Sequence, residues 1–110
     1  MADETDDKAA ILDQAAQWME QGLGVAVATL LSAWGSAPRP VGSLMAVAVG
    51  GRMAGSVSAG CIEGAVAYEA ERVIEEGEPR VLTFGISDER AWEVGLACGG
   101  KLSVYLEPLL

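Results

Sequence analysis

Cys61 lies in Gly55-Ser56-Val57-Ser58-Ala59-Gly60-Cys61-Ile62-Glu63-Gly64, where a run of small residues leads directly into a helical pattern. A thiol near a helix start sits beside backbone N–H groups and the positive end of the macrodipole. That setting favours the thiolate, the form that attacks electrophiles and binds soft metals. A lone cysteine in an apolar chain is more often a small core residue, and the loop context is what argues for reactivity here. Cys98 is a second glycine-flanked thiol, in Gly95-Leu96-Ala97-Cys98-Gly99-Gly100. Glu63 follows Cys61 by two residues. Its favourable position on the helix dipole explains it structurally, while its negative charge opposes thiolate formation.

Three glycine-rich segments surround these thiols: Gly35 to Ser43, Gly55 to Gly64 and Gly95 to Gly100. Each adjoins an expected strand end, where ligands favour binding because loops converge on a rigid scaffold. The plain alternative is tight turns. Turns alone do not require Ser56, Ser58 and Gly60 before a helix, an arrangement that offers hydroxyls and N–H groups to an anion. Ser36, Gly42, Ser43, Gly55 and Glu63 belong to the same candidate surface, as do Gly99 and Gly100. Arg39 lies between Pro38 and Pro40, which restrict its reach and suit it to a phosphate or carboxylate. The alternative for Arg39 is a surface residue in a rigid turn. Neither a Walker A loop nor a Rossmann fingerprint is present.

Composition narrows the chemistry further. The chain has 110 residues, a net charge of −9 and no histidine. The missing histidine removes the commonest metal ligand and the usual neutral-pH base. Two cysteines cannot complete a tetrahedral zinc site without carboxylates or another subunit. The acidic charge, with two lysines and five arginines, argues against nucleic acid. No apolar run reaches transmembrane length, and the acidic N-terminus lacks the basic start of a signal peptide. The expected setting is therefore cytoplasmic, away from membranes, with the cysteines unpaired.

The elements that must position these residues can be read from periodicity. Residues 1–6 are expected to be disordered. Ile11, Leu12, Ala15, Trp18 and Met19 recur at helical spacing between Asp7 and Gln21. Leu23 to Trp34 is nearly continuous in apolar character, as in a central strand covered on both faces. Ser43 to Val49 and Arg52 to Val57 read as hairpin strands around Gly50-Gly51. A helix follows from Cys61 to Glu76, with Ile62, Ala65, Val66, Ala70 and Val73 on its apolar face. Arg80 to Phe84 and Lys101 to Leu106 read as strands, with a short helical stretch from Ser87 to Val94 between them. Trp18, Trp34 and Trp92 read as core or interface residues. The expected class is α/β, in its α+β form: one compact domain with a mixed β-sheet of about five strands and two main helices. Exposed sheet edges point to a homo-oligomer.

At these residues the sequence resembles the XdhC/CoxI family. The resemblance is carried by Ala28-Thr29 running on through Trp34 to Ser43, by Ala54 to Gly64, and by Cys98-Gly99-Gly100 with the strand ending at Glu107-Pro108. Ala59-Gly60-Cys61 stands where the family usually has Gly-Gly-Cys. The resemblance implies an accessory protein for molybdenum hydroxylases of the xanthine dehydrogenase or carbon monoxide dehydrogenase type. Such a protein is a chaperone rather than a catalyst, binds molybdenum cofactor (molybdopterin) transiently, and holds no permanent cofactor. It assists sulfuration by a cysteine desulfurase and insertion into the hydroxylase apoenzyme. Cys61 would be a sulfur relay or molybdenum contact, and Cys98 a second thiol. Family members commonly carry a C-terminal Rossmann-type domain, which is expected to be absent from these 110 residues; a separate Rossmann-domain subunit is then an expected partner. The rival readings are a non-catalytic interaction module of the same system and a thiol-based sulfur-transfer protein.

Overall fold

A computed structural model describes residues 4–34, 41–57, 62–86 and 100–109. The elements run α1 (Glu4–Glu20), β1 (Val25–Trp34), β2 (Leu44–Ala48), β3 (Arg52–Gly55), α2 (Glu63–Glu76), β4 (Arg80–Ile86) and β5 (Gly100–Leu109). The strands form one five-stranded sheet in the order β3-β2-β1-β5-β4.

The uncharged run becomes the central strand for a physical reason. In β1, Ala26, Ala28 and Leu30 join one core cluster with Val66, Ala70 and Val73 of α2. Val25 and Val27 join another with Ile11, Ala15 and Trp18 of α1. Successive side chains of a strand point to opposite faces, so the stretch from Val25 to Ala28, buried on both faces, leaves no position for a charge, whereas Leu31 further along is exposed. β2 repeats the pattern, with Met45 and Val47 on the α2 side and Ala46 and Ala48 on the α1 side.

The five strands, two helices and α+β class match the expectation; the parallel component of a mixed sheet does not. Every neighbouring pair among the described strands is antiparallel. The α2 crossover does join two parallel strands, β3 and β4. It carries the chain from one edge of the sheet to the other, so these strands are not neighbours. The hairpin is present: Ala48 pairs with Arg52 across Val49-Gly50-Gly51, and both glycines have positive φ (88° and 82°). α1 begins at Glu4, earlier than the periodicity indicates. α2 ends at Gly77, whose N–H donates to the Val73 carbonyl. The short helical stretch expected from Ser87 to Val94 lies outside the described residues.

Candidate functional site

Strand register decides where the glycine-rich segments attach. The first leaves the C-terminal end of β1 and re-enters at β2, with Thr29 opposite Leu44. The second begins at Gly55, the last residue of β3, opposite Met45. The third leads into β5, where Gly100 faces Ile86 and Lys101 faces Trp34. In an antiparallel sheet these are all the same end. Three segments far apart in sequence therefore have their attachment points along one rim.

Backbone bonds tie the first two attachment points together. The Leu30 N–H donates to the Ser43 carbonyl at 2.9 Å, and the Gly42 N–H donates to the Leu30 carbonyl at 2.8 Å. The Ser56 N–H donates to the Leu44 carbonyl at 3.1 Å. Gly55 permits this closeness. It has φ of 81°, and a Cβ there would lie 2.5 Å from both the Leu44 oxygen and Ile11 Cδ1. Only glycine fits such a position without strain. Ser43 is buried at the same rim, with 3% of its surface exposed.

Glu63, in the first turn of α2, reaches back across the second segment. Its Oε2 accepts the Ser56 hydroxyl and also the Val57 N–H, the latter at 3.1 Å. The protein's own carboxylate thus takes the place an anion would occupy beside Ser56 and Val57. It pins the two ends of the segment that contains Cys61. The start of α1 reaches the same rim: a Cβ on Gly42 would sit 3.4 Å from Lys8 Nζ. Lys8 is not among the candidate residues drawn from the sequence. The available signal was that Lys8, Ile11, Ala15 and Trp18 recur at helical spacing, so Lys8 heads the buried stripe of α1.

Of the residues singled out from sequence, Gly42, Ser43, Gly55, Ser56, Glu63 and Gly100 fall within the described structure. Cys61, Cys98, Ser36, Arg39, Ser58, Gly60 and Gly99 lie outside it. Among the described residues no group of three or more metal-ligating side chains could hold an ion. Nor is any described helix long and apolar enough to cross a membrane.

The comparisons with known proteins bear on this arrangement. The family model for XdhC and CoxI matches residues 18–85, from the end of α1 to the end of β4. The chain belongs to the XdhC and CoxI family. It is 37% identical over 106 residues to the molybdenum cofactor insertion chaperone PaoD of Escherichia coli, covering 96% of this chain and 33% of that protein. It is also 31% identical over 96 residues to the uncharacterized protein YqeB of the same organism, covering 87% of this chain and 18% of YqeB. A Bacillus halodurans protein crystallised as a xanthine dehydrogenase superposes with a TM-score of 0.73 at 29% identity, over 88% of this chain and 30% of that one. The chain thus spans a third or less of the length of these relatives.

Proposed function

We propose that this chain is an accessory domain for molybdenum hydroxylase maturation, which binds molybdenum cofactor transiently and assists its sulfuration or its insertion into the apoenzyme. The observation that carries this reading is the attachment of all three glycine-rich segments along one rim of the sheet. The family membership and the resemblance to an insertion chaperone support it.

The residues present fit a phosphate-bearing ligand. Lys8 brings a cation beside the open backbone of Gly42, and Arg39 belongs to the same segment. In this reading Ser36, Ser58, Gly60, Gly99 and Gly100 would offer the ligand hydroxyl or backbone groups, while the buried Ser43 shapes the rim behind them. Thiolates are soft donors suited to a metal in a sulfur-rich setting, which assigns the molybdenum contact or sulfur relay to Cys61 and a supporting role to Cys98. The cofactor supplies the redox centre when bound; the domain binds it, orients it and keeps solvent from it. Ser56 and Glu63 shape the Cys61 segment. The partners in this reading are a hydroxylase apoenzyme, a cysteine desulfurase and a Rossmann-type domain, within a reducing cytoplasm.

The test is cofactor retention after anaerobic loading. Wild-type protein is expected to retain molybdopterin through gel filtration, and Cys61→Ser to lose most of it. Equal retention by the variant removes Cys61 from the mechanism. Retention by neither protein overturns the cofactor-binding reading.

A further inference from the structure

We propose that the outer edge of β4, with the groove between it and α2, docks an extended segment of a partner protein that is apolar along its length and basic at its flanks. β4 is the last strand of the sheet and pairs only with β5 among the described strands. An unpaired edge is a template for another strand, and proteins ordinarily blunt it with charge, proline, bulges or brevity.

The two edges of this sheet differ in that respect. β3 is four residues long, opens on the exposed Arg52 and ends at Gly55 with positive φ. β4 is seven residues long, and its pairing with β5 is regular from Arg80 to Ile86. The cation at its start does not guard it. Arg80 is turned onto α2, 2.6 Å from Glu76 and 3.4 Å from Glu69.

Apolar surface lies along the same edge. Leu82 and Phe84 turn towards the core beneath α2 and are only partly buried. Val81, on the opposite face, is 59% exposed, and Tyr68 of α2 is 67% exposed. Between them runs a groove of about 410 Å³, walled by Ala65, Tyr68 and Glu69 on the helix and by Leu82, Thr83 and Phe84 on the strand. An added strand would pair with the outer backbone of β4, which no other described strand occupies, and set alternate side chains against Tyr68 and Val81.

Charge identifies the occupant. Residues 69–80 hold five glutamates and two arginines, a net charge of −3, although Glu69 and Glu76 share Arg80 and Glu71 reaches Gly50 on the far side. A second copy would bring together two chains that each carry a net charge of −9. A segment with basic flanks meets complementary charge instead. In the maturation reading the client or a partner of the same system supplies this segment; the edge itself does not depend on cofactor binding.

The probe is a short synthetic peptide of alternating valine and threonine flanked by lysine pairs, with a glutamate-flanked twin. Calorimetry is expected to show binding of the lysine peptide that weakens as salt rises, and hydrogen exchange to show protection confined to β4. The glutamate twin is expected to bind at least about tenfold more weakly. Val81→Asp and Tyr68→Ala, both at exposed positions, are expected to weaken binding by about the same factor while leaving thermal unfolding unchanged. Val81→Asp separates the possibilities, because pure charge attraction would strengthen binding there. Equal binding of the twin, no binding of either peptide, or indifference to both variants overturns the proposal. So does a dimer in sedimentation that Val81→Asp dissolves, which makes a second copy the occupant. Molybdopterin retention by wild type and Cys61→Ser is read separately, so either idea can fail alone.

Discussion

Glu63 shows how one side chain can carry two opposed effects. Its carboxylate gathers the Ser56 hydroxyl and the Val57 N–H, which favours a closed segment. Its charge also sits two residues from Cys61, where it disfavours a thiolate. The two effects separate by substitution. Glu63→Ala removes the acceptor and is expected to cost about 1–2 kcal/mol of stability, in line with loss of partly exposed, charge-assisted hydrogen bonds. Glu63→Gln keeps an acceptor oxygen and loses the charge, so stability should fall less while Cys61 reacts severalfold faster with a disulfide reagent near neutral pH. Stopped-flow measurement in a Cys98→Ala background reads Cys61 alone. An unchanged rate in Glu63→Gln would leave Glu63 a purely structural brace. The sequence placed Glu63 on the helix dipole correctly in kind, but its partners were not legible. A hydrogen bond spanning seven residues depends on how the segment folds back, and local spacing does not encode that.

At the scale of elements, legibility followed burial. The first half of β1 was readable because a stretch covered on both faces must be apolar, and its positions from Val25 to Ala28 are all buried. The Gly50-Gly51 turn was readable because few residues accept two successive positive φ angles. Strand direction was not readable, because it depends on α2 carrying the chain across the whole sheet rather than to a neighbouring strand. The convergence of the glycine-rich segments on one rim was hidden for the same reason. Each was seen at a strand end, but only the antiparallel order makes those ends coincide. Gly55 marks where the elements meet, since α1, β2 and β3 all approach it through Ile11 and the Leu44 carbonyl. Gly55→Ala is therefore expected to destabilise the domain by at least about 2 kcal/mol, through positive-φ strain and contact with a backbone oxygen that cannot move aside cheaply. Urea unfolding measures this. A midpoint equal to wild type would mean that α1 and the hairpin do not hold this closeness in solution.

The sheet of this molecule has two rims of different make-up. One rim gathers the attachment points of the glycine-rich segments, the start of α1 near Lys8 and the start of α2 at Glu63. The opposite rim holds the Gly50-Gly51 turn, the entry to β1, where the Val49 N–H donates to the Gly24 carbonyl, and the Gly77 end of α2. If the first rim receives the cofactor, binding should slow amide exchange there and nowhere else. Exchange measured by mass spectrometry, with and without anaerobically supplied molybdenum cofactor, is expected to show protection in residues 35–43, 55–64 and 95–100. Peptides spanning residues 22–24, 49–52 and 77–79 should be unchanged. The β4 edge runs between the two rims and should likewise be unaffected by cofactor, while remaining available to a partner strand. Protection spread evenly over the sheet would indicate general stiffening rather than a site at one end. Protection confined to the Gly50-Gly51 rim would overturn the placement. The pattern also separates the cofactor's position from the partner's, because a domain that hands over a ligand gains from holding it at one end and gripping the recipient along an edge.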